Sequence, residues 1–277
     1  MWASQRFDTN RIYGTSSKEL SDDQMRKHAP SIFAEEPWET MTSKYLFIPT
    51  IHVINQLREN GFKPVRAMQS KSRIEGKADF TKHMVVFRDV SKPVAVGDSV
   101  PEIVLVNSHD GTSSYQLHAG MFRLVCANGL IVADSTLAAI RCRHSRNVVD
   151  DIIEGTNTLI KEVPAVAEKI EHFRSITLKP EHQQVLAESA LKLRYDGEDH
   201  APIEPHQLLR VQREADRQPS LWNTFNRIEE NMMKGGLRGR TSTNKPTTTR
   251  AIKSVTENVR MEKAMWHLTE RMAEILK

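Results

Sequence analysis

The run Ile103-Val-Leu-Val106, followed by His109-Asp110-Gly111 and then by Ser113-Ser-Tyr-Gln-Leu117, decides the fold. Four consecutive aliphatic residues, three of them β-branched, read as a strand with both faces covered. Asp-Gly is among the strongest short-range signals for a turn between two strands. The returning strand puts Tyr115 and Leu117 on one face. A hairpin at this place implies a sheet, and the flanking sequence supplies its other members. Pro64 to Gln69 reads as a strand. So does His83 to Arg88, with Val85 and Phe87 facing one way and Met84 and Val86 the other. Asp79 to Lys82 and Val94 to Pro101 read as loops. Before these strands, Ile48-Pro-Thr50 opens a helix with Thr50 as its cap. Ile51, Ile54 and Leu57 follow at helical spacing, and Asn60-Gly61 is the stop. Ser17 to His28 is a short helix, and residues 1–16 are a loose arm.

Downstream the pattern is less uniform. Gly120 to Ile131 fits either a hairpin or a helix, because Asn128-Gly129 serves as a turn or as a helix stop. Leu137 to Arg143 alternates as a strand and places Arg141 and Arg143 on one exposed face. From Asn147 onward the spacing is helical: Val148 to Val163, Ala165 to Phe173, Pro180 to Leu193, Pro205 to Arg213, a helix capped by Ser220, and a last helix from about Val255. The expected fold class is α+β, a small antiparallel β-sheet unit followed by a mainly helical C-terminal region. The divisions are 1–40 for an N-terminal arm and short helix, 41–146 for the β-rich unit, and 147–277 for the helical region. A flexible basic loop is expected at about 234–254.

The chain has 277 residues, with 39 Lys and Arg against 35 Asp and Glu, a formal charge of +4. Apolar residues make up 39% and charged residues 27%, values of a globular rather than a disordered chain. No apolar run approaches the roughly 18 residues of a membrane span, and the first residues lack a signal-peptide core. Two cysteines, Cys126 and Cys142, make no disulfide scaffold. The expectation is a soluble cytoplasmic protein with reduced thiols and no membrane partner.

Chemistry-bearing motifs are scarce. Cys126, Cys142, His83, His109, His118 and His144 match no zinc spacing, so no metal is expected. Gly-x-Ser-x-Gly, His-Glu-x-x-His and Walker patterns are absent, and Lys234 to Arg240 has glycines without a preceding strand. Asp150 and Asp151 are adjacent and diverge on a helix. No catalytic residue and no cofactor is assigned. The sharpest feature is Lys234-Gly-Gly-Leu-Arg-Gly-Arg-Thr-Ser-Thr-Asn-Lys-Pro-Thr-Thr-Thr-Arg250, which contains no acid. Arg238, Arg240, Lys245 and Arg250 are its candidate phosphate contacts, since guanidinium groups among glycines meet phosphate oxygens and stack on bases. Arg141, Arg143 and Arg146 extend the track, and Tyr115 and Phe122 are candidate stacking partners. Trp222 with Phe225, and Trp266 with Leu268, read as core.

Several strings carry a family resemblance: Tyr45-Leu-Phe-Ile-Pro-Thr50, Asn60-Gly-Phe62-Lys-Pro64, Lys82-His-Met84, Phe122-Arg-Leu-Val-Cys-Ala-Asn-Gly-Leu130, Leu221-Trp-Asn-Thr-Phe-Asn-Arg-Ile-Glu-Glu-Asn231 running into Gly235-Gly236, and Asn258-Val-Arg260. Over roughly residues 40–277 the chain resembles the family named domain of unknown function 932, the plasmid- and phage-like proteins. That resemblance implies a setting on mobile elements and no catalytic residue. The expected function is therefore a non-enzymatic nucleic-acid-binding protein, DNA above all, of a plasmid or prophage. It would favour single strands, in recombination or element maintenance, and could form a homo-oligomer. The alternative is an interaction protein that inhibits a host defence protein, and the third is an enzyme whose site has no recognised motif.

Overall fold

A computed structural model describes residues 11–13, 19–43, 45–89, 99–123, 128–131, 140–142, 145, 147–197 and 200–277. The chain divides into two compact units. The first draws on Met1–Phe122, Leu137–Lys161 and Ser254–Thr256, the second on Arg123–Thr136, Glu162–Lys253 and Glu257–Lys277.

The first unit is built on a sheet of β1 (Arg11–Tyr13), β2 (Phe62–Gln69), β3 (His83–Asp89), β4 (Ser99–Asn107) and β5 (Tyr115–Arg123), neighbours in that order, while β6 (Asn128–Ile131) falls in the second unit. A seventh strand, β7 (Ile140–Cys142), runs antiparallel to the start of β5, with Tyr115 opposite Cys142. β2, β3 and β4 are antiparallel, with Met68 opposite Met84 and Val85 opposite Leu105. Pro64 has no N–H to give the ladder, and the β2–β3 register shifts between Pro64 and Arg66. Both faces are covered, as the alternation implied: Val85, Phe87 and Leu105 on one and Met84, Val86 and Val104 on the other are all buried.

Several stretches of this unit depart from the sequence reading, and Arg11–Tyr13, inside the expected loose arm, is strand β1. β4 starts at Ser99, inside the stretch read as a loop to Pro101. The stretch that fitted hairpin or helix is strand in its described parts, β5 to Arg123 and β6 from Asn128. Cys126 lies outside the described residues.

A short helix, α1 (Asp22–His28), is closed by a capping box between Ser21 and Gln24. In α2 (Thr50–Glu59) the N-cap is Pro49, and Thr50 is the first helical residue. Its hydroxyl is committed to long-range partners instead of capping the helix. α3 (Val148–Lys161), grouped by its sequence with the C-terminal helices, belongs to the sheet unit. Gly155 lets it close on the sheet: a Cβ there would stand 2.9 Å from Leu117 Cδ1 and 3.2 Å from Ile140 Cδ1.

The face carrying Val86 also holds an ion pair. Arg88 donates from Nε and Nη2 to Glu102 Oε1, each at 2.8 Å, and Arg66 Nη2 lies 4.0 Å from Oε2. Burial pushes the Glu102 carboxyl up, against the pull of Arg66 and Arg88.

The second unit contains α4 (Val163–Ser175), α5 (Pro180–Arg194), α6 (Pro205–Leu208), α7 (Leu221–Lys234) and most of α8 (Val255–Ile275). Ser220 caps α7 by accepting from the Asn223 N–H at 3.1 Å. Trp222 stacks on Phe225 with centroids 5.4 Å apart, and Trp266 meets Phe173 edge-on at 5.5 Å. Trp222, Phe225 and Trp266 are buried, the core role read from their spacing, whereas Leu268 is half-buried. The polar side of α7 is buried too. Asn231 Nδ2 donates to the carbonyls of Leu208 and Arg210, at 2.9 and 2.8 Å. Those carbonyls are thus taken by a side chain. The segment read as one helix from Pro205 to Arg213 is instead a single turn, α6, followed by irregular chain.

Candidate nucleic-acid interface

The acid-free segment is an ordered antiparallel ribbon, not the flexible loop expected at 234–254. β8 (Arg238–Arg240) pairs with β9 (Pro246–Thr248), Arg238 opposite Thr248 and Arg240 opposite Pro246. The turn between them is closed by Thr241 N–H to the Lys245 carbonyl at 2.9 Å and by Lys245 N–H to Thr241 Oγ1 at 3.1 Å. Asn244 takes the left-handed conformation at φ 62°, which its short polar side chain tolerates.

Order comes from outside the ribbon, because the segment has too few apolar residues to fold alone. Arg240 N–H donates to the Pro202 carbonyl at 2.8 Å. Gln207 Nε2 donates to the Arg238 carbonyl at 2.9 Å, and His200 Nε2 to the Arg240 carbonyl at 2.9 Å. Gly239 makes this approach possible: a Cβ there would overlap the Pro202 carbonyl.

Strand alternation places Arg238 and Arg240 on one face, about 7 Å apart along the strand. Both are exposed, as are Lys245 and Arg250. Asn244 orders Arg240 by accepting from its Nη1, at 3.0 Å on the carbonyl and 3.3 Å on Oδ1. Among the described residues no carboxylate pairs with Arg238, Arg240, Lys245 or Arg250. Elsewhere in the same unit arginines are neutralised: Arg213 by Glu230 at 2.8 Å, Arg217 by Glu214 at 2.7 Å and Arg260 by Glu257 at 2.7 Å. Burial pushes the Glu230 carboxyl up, but hydrogen bonds from Arg213 and Lys234 outweigh it and hold it below the usual range. The four ribbon cations therefore project field into solvent, where an anion is attracted.

The remaining candidates are not on the ribbon. Arg141 is exposed on β7, in the first unit. Arg143, Arg146 and His144 lie outside the described residues, as does the side chain of Phe122. Tyr115, read as a stacking partner, is fully buried and cannot reach a base. At the root of the ribbon, Arg194, Tyr195, Thr249 and Arg250 line a pocket holding about 10 Å³, room for one water. Among the described residues no three His, Cys, Asp or Glu converge as metal ligands. Burial pushes the Cys142 thiol up to about 11, so it stays protonated at neutral pH.

A second polar cluster, missed by the sequence reading, is sealed in the first unit. Thr50 Oγ1 lies 2.9 Å from His83 Nε2, 3.0 Å from His109 Nε2, 3.1 Å from Asn107 Nδ2 and 3.4 Å from the Tyr115 hydroxyl. All five residues are buried. Donor counting assigns the protons. His83 Nδ1 faces the Thr81 carbonyl at 3.1 Å and carries a proton, so Nε2 accepts from the Thr50 O–H. Asn107 and His109 then donate to the two lone pairs of Thr50. The Tyr115 O–H donates to the Ile48 carbonyl at 2.9 Å. The hydroxyl of Thr50 is saturated, and it ties α2 to β3, β4 and β5 and to the turn between β4 and β5.

Burial lowers the His83 pKa to about 4 from 6.5, against the raising effects of the Thr81 carbonyl and Asp110. The unfolded chain thus binds a proton between those two values and the folded chain does not. Stability from this group is intact above pH 6.5 and falls as the pH drops from 6.5 to about 4, by about 3 kcal/mol in all. Urea midpoints across this window should fall more steeply for the wild type than for a His83→Gln variant; equal slopes would mean that His83 titrates normally.

No solved structure matches this chain. The chain belongs to the family described as a domain of unknown function (DUF932), whose model matches residues 37–266. It is 39% identical over 253 residues to the UPF0380 protein YafZ of Escherichia coli (strain K12), covering 91% of each chain. It is likewise 39% identical over 253 residues to the UPF0380 protein YfjQ of the same organism, again with 91% of each chain covered. Among the described residues no helix is long and apolar enough to cross a membrane.

Proposed function

We propose that this chain is a non-enzymatic nucleic-acid-binding protein that grips phosphates with its ribbon, through Arg238, Arg240, Lys245 and Arg250. The observation that carries the reading is that, among the described residues, no carboxylate pairs with these four cations, whereas Arg213, Arg217 and Arg260 of the same unit are paired. Keeping four positive charges together costs self-repulsion, which a polyanion relieves. The stacking half of the single-strand reading loses Tyr115 to the core, and residues 234–250 contain no aromatic. The affinity we propose is therefore electrostatic. The setting we propose, from the family resemblance, is the DNA of a plasmid or prophage, in recombination or maintenance.

Fluorescence anisotropy with labelled oligonucleotides across a salt series tests this. Four neutralised phosphates predict a log–log slope of about −2.8 on single strands and about −3.6 on duplex. Alanine at all four positions should bring the slope close to zero with the unfolding midpoint unchanged. A near-zero slope in the wild type would overturn the proposal.

A further inference from the structure

We infer that the ribbon lies in the major groove of duplex nucleic acid and that Arg238 and Arg240 face base edges there; this rests on the nucleic-acid reading above, with phosphate contact on duplex then left to Lys245 and Arg250. A two-stranded antiparallel ribbon is, with the α-helix, an element that the major groove admits. Its strands stand about 4.8 Å apart, against a groove about 12 Å wide. Arg238 and Arg240 share one face, and two residues of antiparallel strand advance about 6.8 Å. Two base-pair steps advance the same distance, at about 3.4 Å each. The two guanidinium groups are thus in step with alternate base pairs.

The ribbon is also rigid enough to read. Its turn is closed by Thr241 and Lys245, and its backbone is held by Pro202, His200 and Gln207. Asn244 holds one end of the Arg240 guanidinium through Nη1, leaving the Nε–Nη2 edge to make a fork. That fork matches the O6 and N7 acceptors of guanine. The lack of an aromatic among residues 234–250 argues the same way, because single-strand binders stack bases on aromatic rings.

The test is selection from a randomised duplex pool, followed by anisotropy on the selected duplex. Guanine should be enriched at two positions two steps apart. Replacing those guanines by 7-deazaguanine, which removes the N7 acceptor, should weaken binding roughly 5- to 150-fold per contact. The Arg238→Ala and Arg240→Ala variants lose every donor to the base, so each should bind the plain and the modified duplex equally at its own position. No enriched base, an equal affinity of the wild type for plain and modified duplex, or tighter binding to single strands would overturn the inference while leaving phosphate binding standing. Absence of salt-dependent binding to any nucleic acid would overturn both.

Discussion

Exchanging Thr50 for valine is expected to destabilise the sheet unit by about 3–5 kcal/mol, although the two side chains have nearly the same shape. The exchange leaves His83 Nε2 without its donor and Asn107 Nδ2 without its acceptor, and it removes one acceptor from His109. Each buried polar group stripped of its partner costs about 1–3 kcal/mol. The site is closed to bulk water, since Thr50, His109 and Asn107 are fully buried and His83 nearly so. Thr50→Ser keeps the hydroxyl and deletes one methyl, so its cost should be near 1 kcal/mol. Urea unfolding followed by circular dichroism separates the two variants. Equal midpoints for valine and serine would show that the network is dispensable.

The second large effect is expected at Arg88. Replacing it with methionine leaves Glu102 buried, with Arg66 as a cation 4.0 Å away. Removing one partner of a buried pair costs about 3–5 kcal/mol, because an uncompensated charge stays behind. The sign of the pH dependence identifies the cause. Glu102 is already raised above its ordinary value in the folded chain, and losing Arg88 raises it further. A raised carboxyl binds its proton more tightly when folded, so the variant should regain stability as the pH falls through that folded value. Adding Glu102→Gln to Arg88→Met removes the stranded negative charge while keeping a polar acceptor near Arg66, and should restore part of the loss at neutral pH. Failure of the double variant to recover would place the effect in packing around the Arg88 stem instead.

The sheet was legible because its signals are local. Ile103 to Val106, the Asp110-Gly111 turn and the alternation of Met84 to Phe87 each lie within a few residues of what they specify. Thr50 was misjudged for the converse reason. A Thr ahead of a helical run is read as a cap, but its hydroxyl answers to His83 and His109, 33 and 59 residues away, and no periodicity reports such partners. The cations were visible as a composition without acid, whereas the common face of Arg238 and Arg240 was not. Glycine, threonine and few apolar residues read as loop, and the groups that turn the segment into strand are backbone and side-chain partners 31 and 40 residues upstream. Tyr115 shows the limit from the other side: an aromatic near a turn looks available for stacking until the hydroxyl it must satisfy at Ile48 is known.

The docking of Gly239 against Pro202 makes the arrangement of the ribbon's charges conditional. A nascent chain emerging with residues 234–250 already carries every charge of the ribbon, but none of its spacing. Only when residues 200–207 have settled does the backbone of Arg240 find its partner and the two arginines acquire a common face. Newly made or partly unfolded copies therefore present these charges as a loose polycation, and finished copies present them at a fixed spacing.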